Sequence, residues 1–455
     1  MKLVEVFSGK TSKSEPVKKT TDSSHFDLET YNRIKTRIHT QLVDLLDLNA
    51  IADIPKESLR ASIKDVVVDV TEREKFPINL KEQENIISDV LNEILGLGPI
   101  EPLMQDDTIQ DILVNKYSSI YVERNGLLEK VPFQFRDDEH LMQIIDRIVA
   151  GVGRRIDESS PMVDARLSDG SRVNAIIPPL AIDGPCLSIR KFGYTPMKLS
   201  NLLERQSITP EIIEYLKGVV VSKLNLLISG GTGGGKTTLL NILSAFIPHE
   251  ERVVTIEDSA ELQLQQPHVV RLESRPPNIE GRGEVKLTDL VKNSLRMRPD
   301  RIIVGEVRGA EAMDMLQAMN TGHQGSMSTI HSNSARDALA RLEVMVRMGA
   351  LMVSENALRS LTASAINVII HLSRLADGTR RMISVSEVTG MEGNIIAMQD
   401  LFVFDQQGVD SSGNIYGEFR ATGVPSIFAD HIERSGYKLN HDIFTLKLPI
   451  GKKNI

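Results

Sequence analysis

The stretch "NLLISGGTGGGKTT", residues 225–238, constrains the fold more than any other part of the chain. An apolar run that reads as a buried strand meets a glycine-rich loop, and the loop opens into the helical run "TTLLNILSAF". Gly230, Gly235, Lys236 and Thr237 satisfy G-x-x-x-x-G-K-[ST] in the strand–loop–helix context that gives the pattern physical meaning. In such a loop Gly230, Gly231, Thr232, Gly233, Gly234 and Gly235 let the backbone N–H groups turn inward around phosphates. Lys236 neutralises the outer phosphate oxygens, Thr237 offers its hydroxyl to Mg²⁺, and Thr238 continues the cradle into the helix. A strand leading directly into a helix also predicts a parallel sheet covered by helices on both sides.

The residues after the loop extend this pattern. "VVTIEDSAEL", 253–262, is an apolar strand that delivers Glu257, Asp258 and Glu261 at its end, where strand C-termini of such sheets open onto the ligand crevice. Three carboxylates there suit metal binding or water activation, and equally suit a solvated acidic turn. "RPDRIIVGEVRG", 298–309, repeats the arrangement with Glu306 emerging from "IIV", where many phosphate-loop enzymes place a metal-shell carboxylate. "TGHQGSMSTIHSNSA", 321–335, adds His323 and His331. No third ligand of matching spacing supports a metal site, and a loop of Gly, Ser and Thr fits a sensor of the γ-phosphate better. The Asn-Lys at 115–116 is not followed by the Asp of guanine-specific proteins, which favours ATP.

Upstream, residues 1–26 read as a flexible tail, because "SGKTSKSEPVKKTTDSSH" has too little apolar surface to offset ordering entropy. Residues 27–98 read as a helical bundle: Ile34, Ile38, Leu42, Leu45 and Leu46, then Ile86, Ile87, Val90, Leu91 and Ile94 recur at helical spacing until "LGLGPIEP" stops them. Residues 99–192 read as a mixed α+β domain. Its strands are "IQDILVN" and "SIYVERNG" with a turn at Asn125-Gly126, its helix is "DEHLMQIIDRIVAGVG", and a hairpin turns at Asp169-Gly170. Residues 193–207 read as a linker, and 208–455 as the nucleotide-binding domain.

Composition bounds the partners. A net charge of −8 supplies no overall basic field for nucleic acid, so no direct nucleic-acid contact is expected. The single cysteine, Cys186, excludes disulfide frameworks and cysteine zinc modules. No segment approaches the run of about 18 apolar residues that a span needs, and the start lacks a signal-peptide core, which predicts a cytoplasmic protein that meets a membrane only through partners.

In this order and at these separations, "GGTGGGKTT", "TIEDSAEL", "RMRPDRIIVGEVRGAEAMDML" and "TGHQGSMSTIHSNSA" resemble the Walker A, Asp box, Walker B and His box of the type II and type IV secretion ATPases. "LGLGPIEPLMQDDTIQDILVN", "DARLSDGSRVNAIIPPLAIDGPCLSIRKF" and "ISVSEVTGMEGNIIAMQDLFVF" look, within that superfamily, like the CpaF/TadA-type ATPases of tight-adherence (Tad) type IV pili. The resemblance covers nearly everything after residue 26. It implies a C-terminal RecA-like ATPase domain, a PAS-like α+β N-terminal domain and a small helical bundle. It makes Glu261 the group that polarises the attacking water, Glu306 the Walker B carboxylate near Mg²⁺, and His331 the reporter of nucleotide state. It gives Arg172 and Arg190 to the bound phosphates. It further implies a homohexamer that works on integral inner-membrane platform proteins.

Three readings follow. The first is a pilus motor at the cytoplasmic face of the inner membrane; the second is a secretion or conjugation ATPase with a protein or DNA client; the third is an ATP-dependent scaffold without turnover. The complete set of acidic groups disfavours the scaffold.

Overall fold

The computed structural model describes residues 37–38, 56–74, 78–124, 127–192, 197–277, 282–349, 353–445 and 447–450. The tail, the helical positions Ile34, Leu42, Leu45 and Leu46, and the Asn125-Gly126 turn lie outside the described residues. By internal contacts the chain divides into two compact units, residues 1–105 with 133–140, and residues 106–132 with 141–455.

In the first unit, the helices Lys56–Glu74 and Leu80–Leu95 bury one face each. Leu59, Ile63, Val67 and Val70 meet Ile86, Ile87, Val90 and Leu91, with Ile38 in the same cluster. The second helix starts at a reciprocal cap in which Glu82 N–H donates to Asn79 Oδ1 (2.9 Å) and Asn79 N–H donates to Glu82 Oε2 (2.8 Å). The Gly-Pro stop at "LGLGPIEP" holds, but only briefly. After a 3₁₀ turn at Gly98–Ile100 the chain enters a short helix, Glu101–Gln105, because Pro102 falls in the first turn, where a missing N–H costs nothing.

The second unit contains two sheets. Strands β1 (Ile109–Lys116), β2 (Ser119–Arg124), β3 (Leu127–Lys130), β4 (Met162–Arg166), β5 (Arg172–Ile176) and β6 (Cys186–Arg190) form an antiparallel sheet in the order β3-β2-β1-β6-β5-β4. Strand β5 alternates buried Val173 and Ala175 with open Arg172 and Asn174, so there one face is packed and the other is polar, whereas edge strand β3 is exposed throughout. The helix Asp138–Gly151 buries Ile144, Ile145, Ile148 and Val149. Residues 197–207, expected as linker, contain the helix Leu199–Glu204, capped where Lys198 N–H donates to Asn201 Oδ1.

The larger sheet has ten strands in the order β16-β15-β14-β13-β12-β7-β11-β10-β8-β9. Strands β7 (Leu226–Gly230), β8 (Val253–Glu257), β9 (Val269–Glu273), β10 (Arg301–Val307), β11 (Met327–Ile330) and β12 (Val368–Arg374) pair in parallel. Every residue of β7, β8 and β11 is buried, as expected for strands covered on both faces. Leu226 and Ile228 of β7 belong to one core and Leu227 to the other. This is the RecA-like α/β arrangement that the resemblance implied. Alternation of strand and helix did not announce the remainder: β13 (Arg380–Glu392), β14 (Ile395–Val409), β15 (Ile415–Ala421) and β16 (Lys447–Ile450) continue the sheet antiparallel. Short turns join β12 through β15, and a tight turn closes only an antiparallel pair.

Candidate nucleotide-binding and catalytic site

Strand β7 runs into the glycine loop, and the loop ends as the helix Lys236–Ser244 begins, with Gly235 as its N-cap. Gly233 (φ 69°) and Gly235 (φ 94°) occupy the left-handed region, which side chains resist. Gly230 is required for a different reason: a Cβ there would collide with the Leu372 carbonyl oxygen of β12. Lys236 is buried and donates through Nζ to the Gly231 carbonyl at 3.1 Å. Burial pushes its pKa below the usual lysine value, and the negative charges of Glu306 and Glu261 oppose that shift. Thr237 and Thr238 line a cavity of about 270 Å³ together with Arg172, Arg190, Asn241 and Glu261.

The three carboxylates after β8, for which a site role and a solvated acidic turn were both open, separate into different tasks. Glu257 is buried, and its Oε2 accepts from the N–H groups of Glu261 (2.8 Å) and Leu262 (2.9 Å). Burial raises its pKa, and those two N–H donors act in the opposite direction. Glu257 therefore brackets the turn that carries Glu261. Room for it comes from the neighbouring strand, where a Cβ on Gly305 would stand 2.8 Å from Glu257 Cγ. Asp258 instead pairs with Arg308 at 3.2 Å. Glu261 alone of the three reaches the cavity and forms an ion pair with Arg172 at 2.9 Å.

Glu306, near the end of β10, accepts from Arg308 Nη2 at 3.0 Å, so Arg308 ties the Walker B strand to Asp258. Its other oxygen stands 3.3 Å from His331 Nε2 without hydrogen-bond geometry, a buried acceptor left without a donor. His331 follows β11; burial and then the nearby Lys236 charge hold its pKa below the ordinary value, which keeps the ring neutral near pH 7. The next residue, Ser332, joins a buried relay: its Oγ is 2.7 Å from Ser229 Oγ, which is 2.7 Å from His371 Nδ1. His323 sits on a separate turn, where its carbonyl accepts from Ser326 Oγ at 2.6 Å, and it shares no hydrogen bond with His331 among the described residues.

The smaller sheet presents a row of charges on its open face. Cross-strand register places Asp111, Arg190, Arg172 and Arg166 side by side on β1, β6, β5 and β4. Like charges directly opposite one another repel, so this row needs anions. Arg190 takes Asp111 at 3.2 Å, and Arg172 takes Glu261 and also donates to the Ser259 carbonyl at 2.9 Å. Arg166, which sequence reasoning passed over, pairs with Glu273 and donates to the Ala260 carbonyl at 3.0 Å. The signal for Arg166 was its register opposite Arg172 in the Asp169-Gly170 hairpin. Arg308 was equally missed, although it stands two residues beyond Glu306, just past the end of β10.

The oxygen donors suit MgATP. Mg²⁺ prefers one or two protein oxygens and completes its shell with phosphate and water. The Thr237 hydroxyl and the unpartnered Glu306 oxygen flank the phosphate loop accordingly, and among the described residues no group of three or more His, Cys, Asp or Glu is arranged to hold a metal ion.

The chain is similar to a Mycobacterium tuberculosis protein named for conjugal transfer, with 38% identity over 67% of this chain and 88% of that protein. It is 34% identical to the type IV secretion system protein PtlH of Bordetella pertussis over 63% of this chain and 92% of PtlH. Among solved structures, the VirB11 ATPase of the Brucella suis type IV secretion system aligns at 28% identity, covering 63% of this chain and 94% of VirB11, with a TM-score of 0.35. The family described as type II/IV secretion system protein matches residues 93–425, the span that holds the phosphate loop, both acidic strand ends and the arginine row, and this chain belongs to that family.

Proposed function

We propose that the chain is an ATP-hydrolysing motor, working as a homohexamer at the cytoplasmic face of the inner membrane to assemble a Tad-type type IV pilus. The observation that carries the enzymatic reading is the cross-domain contact: Arg172 of the smaller sheet meets Glu261 beside the phosphate loop at 2.9 Å. An arginine on one domain and a carboxylate on the other face a single cavity that Thr237 and Thr238 also line.

In this reading Lys236 and the loop N–H groups hold the phosphates, and Thr237 and Glu306 would hold Mg²⁺, which would supply charge neutralisation at the phosphate oxygens. Glu261 orients the attacking water, and His331, neutral beside Glu306, registers whether the γ-phosphate is present. As negative charge spreads over the γ-oxygens, Arg172 and Arg190 stabilise it. Since these arginines belong to the smaller domain, departure of the cleaved phosphate removes the charge they hold and loosens the grip between domains, and this couples chemistry to movement. Among the described residues no helix is long and apolar enough to cross a membrane.

The pilus assignment rests on the likeness of "ISVSEVTGMEGNIIAMQDLFVF" to Tad ATPases. A second reading, a secretion or conjugation ATPase, draws on the relatives named for conjugal transfer and type IV secretion. Glu306→Gln tests both levels. MgATP binding is expected to persist while hydrolysis falls at least about a hundredfold and piliation stops. A parent chain that binds MgATP without turnover would refute the enzymatic reading; undiminished turnover in Glu306→Gln would refute the role given to Glu306; lost turnover with intact pili would refute the pilus reading alone.

A further inference from the structure

The hairpin between β12 and β13 brings two more arginines to the phosphate loop. Arg374 and Arg380 are direct cross-strand partners, a like-charge pair that costs stability unless an anion shares it. Arg380 Nε donates to the Gly233 carbonyl at 2.7 Å. Its Cδ lies 3.7 Å from where a Cβ on Gly235 would stand, and Arg374 Nη1 lies 3.9 Å from the equivalent point on Gly233. The pair thus covers the two loop glycines that have left-handed backbone. Asp377 of the same hairpin spends its carboxylate on the N–H groups of Thr379 (2.9 Å) and Ile415 (2.8 Å). Among the described residues the terminal nitrogens of Arg380 carry no hydrogen bond.

We infer that Arg380 is a phosphate-contacting residue of the nucleotide site, supplied by the β12–β13 hairpin and held on the loop through Gly233. The inference rests on the phosphate-loop reading above. With Nε committed to the loop, the outer edge of the guanidinium keeps two parallel N–H donors, the fork that matches a phosphate oxygen pair. Burial and the Arg374 charge both press the Arg380 pKa downward, so a phosphate oxygen beside the Arg380 guanidinium favours its charged form as well as making bonds. The nearby Glu123 pulls the other way and gives the side chain a resting counter-charge.

Calorimetric titration of inorganic tripolyphosphate and of MgATP into the full chain tests this, with Arg380→Gln and Lys236→Ala as variants. Arg380→Gln keeps a donor but loses the charge. It is expected to weaken both ligands about tenfold and to flatten the salt dependence of tripolyphosphate affinity, because one contacting charge is gone. Lys236→Ala is expected to abolish tripolyphosphate binding. If Lys236→Ala abolishes binding while Arg380→Gln binds as tightly as the parent with the same salt dependence, the Arg380 assignment is overturned and the phosphate loop stands. If Lys236→Ala binds undiminished, the loop reading falls, and this inference falls with it. Should Arg380→Gln fail to fold, Arg380→Lys takes its place, with at least about threefold weaker binding but unchanged salt dependence expected; parent-like affinity in that variant overturns the assignment.

Discussion

Arg172→Ala separates a catalytic arginine from a structural one, because the structure sets the two costs far apart. The ion pair with Glu261 has side chains 34% and 32% exposed, which places its stability contribution within about 0.2–1 kcal/mol. The bond to the Ser259 carbonyl adds about 1 kcal/mol. Part of this returns, since removing Arg172 relieves its repulsion with Arg190 and Arg166 on either side. A net loss of about 1–1.5 kcal/mol follows, or a fall in Tm of roughly 1–3 °C for a unit of this size. An arginine that stabilises charge in phosphoryl transfer contributes about 10³-fold or more to kcat. Steady-state ATPase assays alongside thermal melts give both quantities from one preparation. Arg172→Lys, which keeps the charge but loses the fork, is expected to fall between parent and alanine variant in kcat while melting like the parent. If kcat of Arg172→Ala stays within about threefold of the parent, or falls only in proportion to lost folded protein, the closing-domain mechanism is wrong.

Two further outcomes probe the supports of the site. Gly305→Ala would place a Cβ 2.8 Å from Glu257 Cγ and push that carboxylate off the Glu261 N–H; a stability loss of about 1–3 kcal/mol with a fall in kcat exceeding that in MgATP affinity is expected from urea titration and kinetics, and parent-like kcat would refute the bracket role of Glu257. His371 is buried with its pKa lowered chiefly by desolvation, so the folded chain binds fewer protons than the unfolded chain below the ordinary histidine value. Its contribution is full above about pH 6.5 and is lost as pH falls, and urea midpoints from pH 8 to 5 should decline more steeply for the parent than for His371→Gln; equal slopes would refute it.

The phosphate loop was legible because its chemistry is local: glycines, lysine and threonine act from consecutive positions, and the apolar run before them reports the buried strand. Glu306 was legible for the same reason, as an acid at the end of an apolar strand. The task of Glu257 was not legible because "VVTIE" is buried throughout, and a strand covered on both faces carries no alternation to say which way its last side chain turns. The helix Glu101–Gln105 was hidden because proline reads as a stop unless its place in the first turn is known.

The chain's own order of residues determined that a nucleotide-type loop would sit on a parallel sheet, since periodicity and glycine placement act over a few neighbouring positions. Only the tertiary structure decided which distant groups the arginines meet. Arg166 meets Glu273 across 107 residues and Arg380 meets Gly233 across 147, contacts that depend on strand register and sheet order. Electrostatic partnership depends on distance in space, and a surface arginine in sequence becomes a site arginine only when a cross-strand row or a hairpin carries it there.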